Sequence, residues 1–262
     1  MAWNRALIFS KCKALAAHLS ISLLLVGGAL AMMWFVWFPA PLFATDGGGI
    51  GLKLLVLVDV VLGPLLTFIV FNPAKNRRAM VFDLACIAAF QFAAFGYGLF
   101  NIHSVRVQAV AFYEGEFHAV TADSFQQQEI DPQSWQALGP RAPYLVQVRE
   151  PANDSEMTGV AAFGMTTGLL PQQLQFLYVP YAATAASQWP QGWTLDELRS
   201  QQPLVAELAQ AWLTKHSRAE TEVRFFRVSG FYASAVMVID DQGRWLGGFA
   251  GELPIKATKK LA

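Results

Sequence analysis

Two aspartates lie inside long apolar stretches of this chain, where a charged side chain is costly. Asp59 is the eighth residue of an apolar run from about 52 to 71, and Asp83 lies near the start of another from about 79 to 102. A charge at the centre of a membrane-spanning helix costs about 2.5–3.5 kcal/mol on insertion scales, so such residues are candidates for function. The chemistry open to them is electrostatic, because a buried carboxylate attracts a cation or accepts hydrogen bonds.

Helical spacing places small and polar residues on the same face as Asp59. Residues four apart share a helix face, so Asp59, Gly63 and Thr67 form one stripe. Pro64 lacks an N–H, which predicts a kink beside the carboxyl group.

The face of Asp83 continues through Gln91 and Gly98, and Ala94 with Gly98 forms a small-xxx-small pair suited to close helix contact. For Asp83 a structural role stays open beside a binding role, because a carboxylate near a helix N-terminus is favoured by the helix dipole. The candidate partner-binding residues are Asp59, Gly63, Thr67, Asp83, Gln91 and Gly98.

Three apolar segments are long enough to cross a membrane, at about 14–38, 52–71 and 79–102. The chain is 54% hydrophobic and 15% charged, against about 25% charged residues in ordinary soluble domains. We expect the first segment to be retained, because it is longer than the roughly 7–15 apolar residues of a signal-peptide core.

The distribution of basic residues predicts the orientation of these spans. Lys and Arg precede the first span and lie between the second and third, whereas the loop 39–51 has neither. Since Lys and Arg concentrate in cytoplasmic loops, the N-terminus is expected in the cytoplasm and the C-terminal domain outside it. In a Gram-negative cell this is an inner-membrane protein with a periplasmic domain.

The remaining residues predict an α+β domain with an antiparallel sheet. We therefore expect a membrane domain at 1–102 and a periplasmic α+β domain at 103–262. Alternating patterns predict strands, and capping signals predict helices. The expected strands are 105–112, 117–121, 143–148, 222–228, 232–239 and 245–250, and the expected helices are 131–138 and 194–216 with a break at Pro203.

We expect no enzyme and no cofactor. The chain lacks a phosphate loop, a Gly-x-Ser-x-Gly turn and a His-Glu-x-x-His motif. His103, His118 and His216 suit ordinary surface roles better than metal ligation, and Asp240-Asp241 suits a hairpin turn. Residues 103–262 hold 12 Lys/Arg and 16 Asp/Glu, which argues against nucleic acid as a partner.

The second and third apolar runs carry a more specific pattern. It comprises Leu57-Val58-Asp59-Val60-Val61-Leu62-Gly63-Pro64-Leu65-Leu66-Thr67, Asn72-Pro73-Ala74-Lys75 and Arg78-Ala79-Met80-Val81-Phe82-Asp83-Leu84, then Gln91 and Tyr97-Gly98-Leu99. Over roughly residues 5–125 this resembles the TfpX/TfpZ family of type IV pilin accessory proteins; the stretch 226–254 is similar in outline. One departure is Ser104-Val105-Arg106-Val107, where the family has an Arg-Pro-rich entry into the first strand.

The resemblance implies a non-enzymatic helper that binds its cognate type IV pilin and modulates pilus assembly or retraction. The major pilin and the lipid bilayer are the implied partners, with other inner-membrane pilus assembly proteins left open. The stripes near Thr67 and Asp83 lie at the depth of the pilin N-terminus, whose ammonium a carboxylate would attract. Asp59→Asn or Asp83→Asn should then reduce crosslinking to pilin.

Two other functions fit the sequence less well. A periplasmic ligand sensor fits a small α+β domain after a helix, but it would need a separate cytoplasmic partner. A membrane glycosyltransferase acting on pilin fits poorly, because no acidic sugar-nucleotide motif stands at a membrane face.

Overall fold

A computed structural model describes residues 5–256, which form two compact units. The first, here named the helical unit, comprises residues 5–36 and Gly48–His103. The second, the sheet unit, comprises Trp37–Gly47 and residues 104–256. The loop between the first two apolar helices thus belongs with the C-terminal residues, although hydropathy groups it with the helices.

The helical unit contains three helices long and apolar enough to cross a membrane, and each coincides with a predicted span. They cover Arg5–Trp37, Gly51–Val70 and Arg77–Ser104. The first comprises α1 (Arg5–Met32) and a π-helical end at Met33–Trp37, and the third is α5 (Arg77–Ser104). The second is built from α3 (Gly48–Leu55), a π-helical segment at Val56–Leu62 and α4 (Gly63–Val70). A short helix, α2 (Leu42–Thr45), lies between α1 and α3.

The second apolar helix contains a π-helical segment just before Pro64, the residue at which a kink was predicted. Residues Val56–Leu62 form π-helical turns, and Pro64 lies in the first turn of α4. Proline has no N–H to donate to the preceding turn, so a local change of hydrogen-bond pattern is expected there. Asp59 is inside this widened segment, and π-bulges occur frequently at functional sites.

The sheet unit is built on one seven-stranded sheet among the described residues, in the order β4-β3-β1-β2-β5-β6-β7. The strands are β1 (Val107–Tyr113), β2 (Glu116–Thr121), β3 (Tyr144–Val148), β4 (Tyr178–Pro180), β5 (Val223–Ser229), β6 (Ser234–Asp240) and β7 (Trp245–Ala250).

The predicted antiparallel sheet is wrong in two pairings, so the sheet is mixed. Strand β1 pairs with β3 in parallel, and β2 pairs with β5 in parallel. Parallel neighbours require long crossover connections. Sequence alternation identifies strands and hairpins, but not pairings between strands that are distant in the chain.

Two further differences concern strand limits. β4 was not predicted; it has three residues, ends at Pro180 and lies at the sheet edge, where proline is tolerated. The strand expected from 232 begins at Ser234, because Gly230 N donates to Ala233 O and closes a turn around the two residues between them.

Two helices of the sheet unit begin at their predicted capping residues, whereas the helices at Asp154–Thr167 and Ala185–Gln188 were not predicted. Asp131 accepts a hydrogen bond from Gln133 N, and Thr194 forms a capping box with Glu197. The predicted break at Pro203 is present and divides the long helix in two. These helices are α6 (Pro132–Gln136), α7 (Asp154–Thr167), α8 (Ala185–Gln188), α9 (Leu195–Gln201) and α10 (Pro203–His216).

An aromatic cluster occupies the middle of the sheet unit. Its members, each at most 2% exposed, are Phe112, Phe117, Tyr181 and Phe226. The ring centroid of Phe117 lies 4.9–5.4 Å from the ring centroids of the other three. A second apolar cluster packs α9 and α10 against β5 and β6 through Trp212, Phe225 and their neighbours. Burial of these side chains is the main source of the unit's stability.

Candidate functional site

The polar stripe of the second apolar helix faces the interior of the helical unit. Asp59 and Thr67 are 5% and 3% exposed, and Gly63 is also buried. Asp59, Gly63 and Thr67 therefore share a buried face, as their four-residue spacing predicted, although Asp59 lies in a π-helical segment. The stripe therefore faces the other two helices.

Helix α1 supplies a polar partner that was not among the predicted site residues. His18 Nδ1 and Thr67 Oγ1 form a hydrogen bond of 2.6 Å. Ser22, one turn further along α1, is 4% exposed. The four-residue spacing of His18 and Ser22 was the available signal that both share an inward face.

Helix α5 contributes Gln91 to the same place. This side chain is 7% exposed. It lies so close to Gly63 that a Cβ added to this glycine would be 1.7 Å from Gln91 Nε2. Gly63 therefore leaves the space that the Gln91 amide fills, a role that the sequence did not show.

These residues line one cavity of about 390 Å³ between the three helices. Its polar lining consists of His18, Ser22, Asp59, Thr67 and Gln91, and the remaining lining residues are apolar. Within residues 5–256, Asp59 Oδ2 and Gln91 Oε1 are buried and have no hydrogen-bond partner. A buried acceptor without a donor is costly, so a ligand carrying N–H donors or positive charge would be stabilised here.

The other two predicted site residues lie elsewhere. Asp83 forms a 2.8 Å salt bridge with Lys75, and its side chain is 31% exposed. Gly98 lies against Leu55, whose Cδ2 would be 3.1 Å from a Cβ at that glycine. Gly98 thus allows close approach of α5 to α3, as the small-xxx-small pattern suggested, whereas Asp83 does not line the cavity.

The sheet unit has a separate ionisable cluster at the parallel pairing of β2 with β5. Glu116 Oε2 forms an ion pair with Arg227 at 2.8 Å from Nε and accepts a hydrogen bond from Ser229 Oγ at 2.7 Å. Burial lowers the pKa of His118, opposed by the nearby Glu116 carboxylate. These groups satisfy one another, and no group of three metal-ligating side chains occurs in the described part of the chain.

Asp240 has the role expected of an aspartate in a hairpin turn. Its Oδ1 accepts hydrogen bonds from Gln242 N and Arg244 N, and its Oδ2 accepts one from Arg244 Nε at 2.7 Å. The carboxylate therefore closes the turn between β6 and β7.

Comparison with known proteins relates this chain to pilus biogenesis. It is 34% identical over 109 residues to the fimbrial assembly protein of serogroup I of Dichelobacter nodosus, and 34% identical over 109 residues to that of serogroups C1 and C2. The serogroup E1 protein is 33% identical over 109 residues. No family model matches the chain, and no solved structure matches it.

The matched stretch covers 42% of this chain. It covers 42% of the serogroup I and E1 proteins, which is less than half of their length, but 83% of the C1 and C2 protein. Identity of about one third across most of a relative is the mark of common descent. The chain therefore belongs to the family of these fimbrial assembly proteins.

Proposed function

We propose that this protein is a TfpX/TfpZ-type accessory protein that binds its cognate type IV pilin in the inner membrane and modulates pilus assembly or retraction. The kinship with fimbrial assembly proteins supports a role in pilus biogenesis. The observation that carries the binding role is the cavity of the helical unit with its two unpaired acceptors, Asp59 Oδ2 and Gln91 Oε1.

The orientation proposed for the chain brings both units to the pilin. The basic residues before the first apolar helix and between the second and third favour a cytoplasmic N-terminus. The sheet unit then lies in the periplasm, where the globular head of an unassembled pilin is located. The helical unit lies in the bilayer with the hydrophobic helix of the pilin.

The chemistry of the cavity suits the polar N-terminus of that helix. An ammonium group has three donors and no acceptor, whereas the cavity offers a carboxylate oxygen and an amide oxygen. The α5 wall runs from Leu84 to Phe95, so it begins near the cytoplasmic end of α5 and extends about 16 Å along the helix. An ammonium entering from that end would pass Thr67 and reach Asp59 and Gln91 about 12 Å deeper in the bilayer.

Helix α5 also presents the apolar surface that a second helix requires. Val81, Phe82, Phe90, Phe92 and Phe100 are each more than half exposed. Helix association in a bilayer depends on close van der Waals packing and on polar contacts between helices. We propose that the pilin helix packs beside α5, and that the protein acts by holding pilin without any catalytic step.

A single methyl group at Gly63 tests the proposal, because it would displace the Gln91 side chain from the cavity. We expect Gly63→Ala to reduce several-fold the amount of pilin that co-purifies with the tagged full-length protein after crosslinking in cells. Gly96→Ala is the matched control, since a Cβ at Gly96 has no heavy atom within 4 Å among the described residues. Equal pilin recovery with both variants at equal membrane levels would contradict binding in this cavity.

A further inference from the structure

The turn between β5 and β6 ends in two exposed aromatic side chains. Phe231 is 78% exposed and Tyr232 is 61% exposed. Their rings meet edge to face with centroids 4.9 Å apart. The turn residues 230–233, Gly-Phe-Tyr-Ala, contain no charge. An uncharged aromatic tip of this kind is unfavourable in water and suits a less polar environment.

This tip is fixed to the segment that leads into the second apolar helix. Tyr232 N donates to Thr45 O at 2.9 Å, and Phe231 N donates to Asp46 Oδ1 at 3.0 Å. The Tyr232 ring covers Gly47 so closely that a Cβ added to this glycine would lie 2.6 Å from Tyr232 Cε2. Asp46 is 4% exposed, and its carboxylate accepts hydrogen bonds from Phe231 N and Thr45 Oγ1, so it presents no exposed charge beside the tip.

The chain itself places this segment at a membrane surface. Gly47 lies four residues before Gly51, the first residue of the apolar helix Gly51–Val70, which is 20 residues long. Such a helix is about 30 Å long and matches the hydrocarbon thickness, so Gly51 falls near its boundary. Four residues of helix add about 6 Å, and the headgroup layer on each side is about 5–8 Å thick. Gly47, and the tyrosine ring over it, therefore fall within the headgroup layer.

We propose that Phe231 and Tyr232 form a membrane anchor of the sheet unit, with the tip of the β5–β6 turn buried among lipid headgroups and the adjoining acyl chains. The amphipathic ring of tyrosine is favoured at this depth, where its hydroxyl stays hydrated and its body is apolar. Phenylalanine supplies additional apolar surface. The partner is the bilayer itself, so this anchor does not depend on the binding of pilin.

Spin labelling of the full-length protein in lipid nanodiscs tests the anchor without pilin present. Cys12 and Cys86 are first replaced by serine, and a nitroxide is attached to Phe231→Cys or, separately, Tyr232→Cys. Backbone hydrogen bonds to Thr45 and Asp46 do not require either side chain. The frequency with which the nitroxide collides with oxygen, which concentrates in the bilayer, is compared with the frequency of its collisions with a water-soluble nickel chelate.

Two positions calibrate the measurement. Asp196→Cys reports water, because the Asp196 side chain is 82% exposed in the sheet unit, and Phe90→Cys reports the bilayer. We expect nickel collisions at residues 231 and 232 several-fold below those at 196, with oxygen collisions raised towards those at 90. Collision ratios at 231 and 232 equal to that at 196 would overturn the proposal.

Discussion

Asp59→Asn should lower the recovery of pilin with the full-length protein by about 10- to 100-fold, the equivalent of roughly 1.5–3 kcal/mol for a hydrogen bond to a charged group. Asparagine keeps the size of the side chain but removes its negative charge. The cavity would then retain neutral acceptors only, which attract an ammonium group far less. Recovery is measured after crosslinking in cells, with the amount of membrane-bound protein as the reference.

Asp83→Asn is the matched comparison on the third apolar helix. Asp83 already has Lys75 as its partner and lies outside the cavity, so pilin recovery should change little. The same effect was expected for both aspartates from their sequence positions, whereas the structure places only Asp59 in the cavity lining. Equal losses in the two variants would mean that the overall negative charge, and not the cavity, attracts pilin.

The second large effect concerns the stability of the sheet unit. Phe117→Ala should reduce its free energy of unfolding by about 3–5 kcal/mol, because the ring is fully buried between Phe112, Tyr181 and Phe226. This is a large share of the roughly 5–15 kcal/mol that holds a typical domain folded. The change is measured by unfolding the full-length protein in nanodiscs with urea, with cleavage of the sheet unit by a protease as the signal for unfolding.

Phe176→Ala is the control for the loss of an aromatic ring. Phe176 is 45% exposed, so its removal should cost much less than removal of Phe117. If the two variants unfolded at the same urea concentration, the aromatic cluster would not be the centre of the sheet unit.

The long apolar helices and most strands were predictable from the sequence because local patterns determine them. The span limits agree closely for the second helix, at 52–71 expected and Gly51–Val70 observed. Strand β7 was predicted at its observed limits, Trp245–Ala250. The parallel pairings were not predictable, since they join strands that no hairpin connects. Nor was the packing of Trp37–Gly47 with the sheet unit, which depends on tertiary contacts such as Phe231 N to Asp46.

The candidate site was predictable to the extent that it lies on one helix. The spacing of Asp59, Gly63 and Thr67 identified their common face. Two partners came from other helices: Gln91 was selected for its place on the Asp83 face, and His18 was not among the predicted site residues. Asp83 itself is not part of the cavity lining, and it pairs with Lys75 of the turn between α4 and α5, a contact that spacing does not reveal.

The most direct test of pilin binding in the helical unit is site-specific photocrosslinking from α5. A photoreactive amino acid replaces Phe92, which lines the cavity, or Phe90, which is similarly exposed but lies outside it. In cells that produce pilin, illumination should join pilin to the protein labelled at 92 and much less to the protein labelled at 90. Absence of a pilin adduct at 92, or equal adducts at both positions, would contradict the account.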